Sequence, residues 1–160
     1  MKKETTLIIS LIVLAIASRL LPHPPNFAPI TGIALFGAAK FNNKVFAFLL
    51  PLLCLFITDL FLGISWINLF VYASFAMITF LGLRQKSLHL PTIFYSSILF
   101  FIVSNFGVWL LHYPLTVEGL ATCYTLAIPF YTNTLAGDLF YTLALFYTFS
   151  FVQKVYLKSI

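Results

Sequence analysis

The chain has 160 residues, of which 61% are hydrophobic and only 8% charged, against roughly 25% charged in a soluble domain. So small a polar complement cannot cover a water-facing surface, which excludes a soluble globular protein and a disordered one. The formal charge of +5 is scattered among apolar runs rather than gathered on one polar face, which excludes a nucleic-acid binder as well.

What remains is an all-α, polytopic membrane protein, a single transmembrane domain over residues 1–160. Apolar runs separated by short polar breaks predict six helices, at about 5–21, 28–41, 44–62, 66–83, 91–112 and 133–152. Most approach the roughly 20 residues that a bilayer core requires. The second is shorter and rich in small residues: Gly32, Ala34, Gly37, Ala38 and Ala39. Its Ala34–Ala38 spacing suits close packing on a neighbour. The runs are continuous rather than alternating, which argues against a β-barrel. Residues 116–131, with Gly119, Pro129 and several hydroxyls, read as a short interfacial helix and loop outside the membrane. Lys2, Lys3, the first apolar run and Ala15-Ile-Ala17 share the outline of a secretory signal. That run continues past the small residues to Leu21, and Glu4 breaks the charged region, so it is read as a span.

The basic residues set the orientation. Lys2 and Lys3 precede the first run, Lys40 and Lys44 lie between the second and third, Arg84 and Lys86 between the fourth and fifth, and Lys154 and Lys158 after the sixth. With six spans, every Lys and Arg except Arg19 falls on one face. A miscount of one span would split them. By the positive-inside rule both termini are cytoplasmic.

The chemistry therefore gathers on the outer side. Pro22, Pro24, Pro25 and Pro29 stiffen the first outer loop, because proline fixes φ and removes a backbone donor. A stiff loop presents His23 and Asn26 in a defined direction. Arg19, Asp59 and Asp138 share one layer near the outer ends of helices 1, 3 and 6. Uncompensated, each costs roughly 2.5–3.5 kcal/mol at the bilayer centre and less at a shallower depth. Pairing of Arg19 with Asp59, Asp138 or both is expected, as a structural ion pair, as part of a polar site open to the outside, or as both.

Trp66, Asn68, Trp109, His112, Tyr113, Glu118, Tyr124 and Tyr131 lie at the same level. Trp and Tyr anchor helices at interfaces for their own reasons. Yet both tryptophans and two of the three histidines fall on this side, and an aromatic cavity with a few polar groups suits a flat organic ligand. The substrate-binding candidates are His23, Asn26, Asp59, Trp109, Tyr131 and Asp138. Asn105, in an apolar stretch with Ser104, reads more readily as glue between helices than as a ligand contact.

Cys54 and Cys123 lie mid-helix and in the outer connection, too far apart for a disulfide, and no Cys/His spacing suits zinc. There is no G-x-S-x-G, no P-loop and no nucleophile with an identifiable base. No catalytic residue, metal or cofactor is expected, and the chain is not read as an enzyme. Thr58-Asp59-Leu60-Phe61 and Gly137-Asp138-Leu139-Phe140 echo one another too faintly to define a repeat.

Several motifs resemble an uncharacterised family of small bacterial inner-membrane proteins. They are the run Ser18-Arg-Leu-Leu-Pro-His-Pro-Pro-Asn-Phe-Ala-Pro-Ile-Thr-Gly-Ile-Ala-Leu-Phe-Gly37, Asn105-Phe-Gly-Val-Trp109 and Asn133-Thr-Leu-Ala-Gly-Asp-Leu-Phe-Tyr141. The layout is similar to the S components of energy-coupling-factor vitamin transporters, closest to the solitary cobalamin type. That resemblance implies an S-component-like bundle with a vitamin pocket on the outer side. By position His23 and Asp59 match an early-loop His and a helix-3 Asp that handle cobalamin in those proteins. The matching Cys is missing, its place falling near Tyr72, and helix 1 lacks the small-xxx-small pattern that docks on a coupling partner.

These readings converge on a membrane component that captures a small organic nutrient, vitamin-like and cobalamin in one version, at its outer face. Its partners are the lipid bilayer, the small-molecule ligand and, for energy, a membrane protein or coupling module; no nucleic acid is involved. The alternative is a non-transport scaffold or assembly protein that binds other membrane proteins. An ion pathway through Asp59 and Asp138 is disfavoured, since the inner half of every helix lacks charge.

Overall fold

The computed structural model describes residues 3–85 and 87–157; Lys2, Lys86 and Lys158, used above for orientation, lie outside them. The described residues form six α-helices and no strand: α1 (Lys3–Arg19), α2 (Ile30–Lys40), α3 (Lys44–Leu62), α4 (Ile67–Leu83), α5 (Leu90–His112) and α6 (Val117–Val152), with a π-turn at Gln153–Leu157. Three helical stretches, α3, α5 and α6 with its π-turn extension to Val155, are long and apolar enough to cross a membrane. α1, α2 and α4 are apolar but shorter.

Local chemistry sets most of the ends. The Asn43 side chain accepts from Phe46 N and caps α3. At the other end of α3 the chain leaves through Gly63, whose φ of +107° only glycine adopts without strain. Its N–H returns to Asp59 O at 2.8 Å, holding that last turn closed. Thr116 caps α6 by accepting from Gly119 N.

α6 is the correction to the sequence reading. It runs unbroken from Val117, so residues 116–131 are its first turns and not a separate interfacial segment. Pro129 lies inside it, leaving the Thr125 carbonyl without its usual donor. Packing offsets that loss: Cys123 and Ala127 are buried, and the Tyr124 hydroxyl donates to Ile102 O of α5 at 2.7 Å. At about 1.5 Å per residue its 36 residues reach about 54 Å, well beyond a hydrocarbon core of about 30 Å.

α2 is the centre of the bundle. It packs on all five other helices, and every residue from Ile30 to Ala38 is buried. A helix apolar on every side is stable only when enclosed. Its 11 residues reach about 16 Å, half the thickness of the hydrocarbon core. Phe36 stands edge-on to Phe146 and Phe149 of α6, with centroids 5.3 and 5.6 Å away. Near the last turn the Lys40 ammonium lies 4.5 Å from the Phe149 ring centroid.

Glycine allows this closeness. A Cβ on Gly32 would lie 3.0 Å from Thr142 N, against the backbone of α6. One on Gly82 would press to 3.1 Å on Ala38 of α2, within the Ala34–Ala38 pair singled out in the sequence. Close backbone approach through small residues is the usual means of helix association in lipid. The Gly32→Leu variant is therefore expected to lose about 1–3 kcal/mol through overpacking. Thermal unfolding of the detergent-solubilised protein, followed by tryptophan fluorescence, should show a lowered midpoint. A Leu110→Ala change on the exposed face of α5 should leave it nearly unchanged.

Candidate functional site

α2 begins deep in the bundle, and the space in front of its first turn is a cavity of about 140 Å³. All six helices reach it. Arg19 comes from α1, Ile30 and Thr31 from α2, Leu55 from α3, Val71 and Phe75 from α4, Phe100 from α5, and Thr134 and Asp138 from α6. The α1–α2 loop closes it with Asn26 and Ala28.

The loop is held from two sides. Phe27 N bonds Pro24 O at 3.0 Å, and Asn26 between them has φ +65°. Pro at the second and Asn at the third position of such a turn fit a type II turn, where Asn tolerates the left-handed conformation. Phe27 lies against Phe140 and Tyr141 of α6, at 5.9 and 5.6 Å between centroids. Gly137 makes room for it, since a Cβ there would meet the Phe27 and Ala28 backbone at 3.0 Å. At the α1 end, His23 Nε2 is 3.1 Å from Arg19 O and Nδ1 is 2.9 Å from Pro24 O. A neutral imidazole can donate to only one of the two.

The two aspartates have different surroundings. Asp59 Oδ1 accepts from Arg19 Nη2 at 2.7 Å. Its Oδ2 accepts from Asn68 Nδ2 at 2.7 Å and from the Tyr72 hydroxyl at 2.8 Å. Ser65 fixes the Asn68 amide, because its N–H and hydroxyl both donate to Asn68 Oδ1. Asp59 is thus a buried charge with a cation and a full set of donors, the condition under which such a charge is tolerated.

Asp138, only 3% exposed, has hydroxyl partners only. Ser97 of α5 donates to its Oδ2 at 2.6 Å, and Thr31 in the first turn of α2 also bonds its carboxyl. The sequence left open whether Arg19 pairs with Asp59, Asp138 or both. Asp59 holds it, at 2.7 Å, in the one ion pair among the described residues.

Of the other sequence candidates, Asn26 lines the cavity and His23 braces the loop behind it. Trp109 and Tyr131 do not line this cavity. Trp109 Nε1 donates to Pro114 O at 3.1 Å and its ring packs on Phe106, so it fixes the α5–α6 turn. Tyr131 packs on Phe101 at 5.1 Å. The Asn105 side chain donates to Phe101 O of its own helix at 2.8 Å, while its backbone carbonyl receives Cys123 Sγ from α6.

Sequence reasoning missed Tyr72, Thr31, Ser97, Thr134, Phe75 and Phe100. Hydroxyls on otherwise apolar helices were the available signal for the polar four. Phe75 and Phe100, 5.2 Å apart, are indistinguishable in sequence from lipid-facing phenylalanines. A larger recess of about 490 Å³ lies between α4 and α5, among Met77, Leu81, Tyr95, Ile98 and Ile102. It carries no charged group, and Met77, Tyr95, Ile98 and Ile102 are exposed, as expected of a surface that meets acyl chains.

A family model described as "Family of unknown function (DUF6580)" matches residues 1–159. The chain belongs to this family. No curated protein and no solved structure matches it. Membership in DUF6580 brings no activity with it, so the chemistry must be read from the cavity.

The Arg19–Asp59 pair gives a direct test of what holds that cavity together. Removing one partner of a buried pair costs about 3–5 kcal/mol, because the other charge is left unpaired. Arg19→Met and Asp59→Leu should each lower the unfolding midpoint strongly, and the double variant by much less than their sum. Additive losses would mean that the pair contributes no coupling.

Proposed function

We propose that the protein is a six-span inner-membrane component, termini in the cytoplasm, that captures a small organic nutrient from the outer side. The observation that carries this reading is the convergence of all six helices and the proline-rich loop on one polar cavity. A scaffold has no need of such a cavity. Ligand sites between bundled helices, mostly apolar with a few placed polar groups, are a recurrent arrangement. An irregular loop at membrane depth is tolerated where it lines a cavity, and a short helix whose N-terminus opens into the site is a recurrent transporter device.

Size narrows the ligand. Pockets for drug-sized molecules span roughly 300–1,000 Å³, and this cavity has about 140 Å³. That volume argues for a compact molecule; a corrinoid requires the loop between Leu20 and Pro29 to swing aside. Asn26, Thr134 and Asp138 face the ligand in this reading, while Asp59 positions Arg19 and His23 holds the loop.

Two measurements test it. Mass spectrometry of small molecules released on denaturing the gently purified protein, with cobalt assayed in parallel, should return one compound at near-stoichiometric yield. A protein that releases nothing and instead carries a second membrane protein through purification favours the scaffold. Orientation is tested with a membrane-impermeant maleimide on spheroplasts. Leu115→Cys, in the exposed α5–α6 turn, should be labelled directly, and Asn42→Cys, in the exposed α2–α3 turn, only after permeabilisation. Native Cys54 and Cys123 are buried and contribute little background.

A further inference from the structure

The cavity walls carry an uneven set of charges. Arg19 is matched by Asp59 at 2.7 Å. Asp138 is not matched: its partners are the hydroxyls of Ser97 and Thr31, and no Lys, Arg or His lies within ion-pair distance of it among the described residues. The first-turn N–H groups of α2 offset part of this charge, since a helix N-terminus acts as roughly half a positive charge. No cationic side chain among the described residues balances the rest.

From this imbalance we propose that the captured nutrient is a compact organic ammonium, its cationic head on Asp138. The proposal rests on the capture reading above and adds the chemical class. A buried carboxylate is best served by a charge-assisted hydrogen bond, which an ammonium supplies and a neutral or anionic ligand does not. The same cavity is also lined by Phe75 and Phe100, their centroids 5.2 Å apart. Aromatic faces attract a cation and also pack on carbon. Asn26 and Thr134 supply neutral donors and acceptors for a second polar group on the ligand. A bare metal ion fits less well. At about 30 Å³ per water, 140 Å³ holds some four or five waters, far more room than an ion with close oxygen ligands needs.

The test compares three probes of nearly equal size on the unmodified, purified protein: ethanolamine, ethylene glycol and glycolate. Thermal unfolding is recorded at rising concentrations of each, at constant ionic strength. Ethanolamine alone should raise the midpoint in a saturable manner, and Asp138→Asn should weaken its apparent affinity at least tenfold. The wild-type comparison stands even where that variant fails to fold. Stabilisation by glycolate or ethylene glycol in place of ethanolamine overturns the ammonium class but leaves capture intact. So does a neutral or anionic compound released from the purified protein. An equal effect of sodium chloride assigns Asp138 to a metal ion and also overturns the proposal. No response to any probe, with no compound released, overturns both readings.

Discussion

The structure depends on one short helix that has no exposed side. An 11-residue α2 at the centre of the bundle cannot fill the depth its neighbours fill, so a column of space remains beyond its N-terminus. A membrane protein cannot leave such a column to lipid, because the first-turn N–H groups and the incoming loop need polar partners. The prolines, Asn26, Thr31, Thr134 and Asp138 are what this sequence places there. Cavity, buried charge and stiff loop are thus consequences of the mismatch between α2 and its surroundings.

Two carboxylates in one layer serve different ends because their neighbours differ. Asp59 stands at the last closed turn of α3, beside the first turn of α4, where Asn68 and Tyr72 reach one of its oxygens and Arg19 the other. All of its side-chain hydrogen bonds join helices, and it ties α1, α3 and α4 into one unit. Asp138 faces α2 and α5 through weaker, neutral donors. The first arrangement is closed on itself, and the second leaves electrostatic capacity for something further.

Much of this was legible in the sequence, for identifiable reasons. Apolar runs and their polar breaks place five helices within a residue or two, because desolvation of the backbone forces helices in lipid. Rare charges in apolar runs single out Arg19, Asp59 and Asp138, since only specific partners offset their cost. The start of α6 was misplaced because Gly119 and Pro129 weigh against a helix locally, while packing on α5 outweighs them. The aromatic lining was also hidden. In a chain with this many phenylalanines, facing inward is a matter of rotation about the helix axis, and apolar periodicity is weak when lipid and core are equally oily. Trp109 and Tyr131 drew attention as amphipathic rings, yet their polar atoms or faces are used to fix a turn and a neighbouring helix.

The proline-rich loop is fastened at both ends, at Arg19 O through His23 and at Gly137 through Phe27. In the capture reading proposed above, a molecule admitted past it waits for that fastening to release, and a molecule inside waits as well. When only the released form can load, apparent affinity falls in proportion to how rarely that form occurs. On that reading, stiffness in the loop trades loading speed for residence time. Softening it, by exchanging Pro24 or Pro25 for a freer residue, alters how quickly the chamber fills and empties before it alters what the chamber prefers.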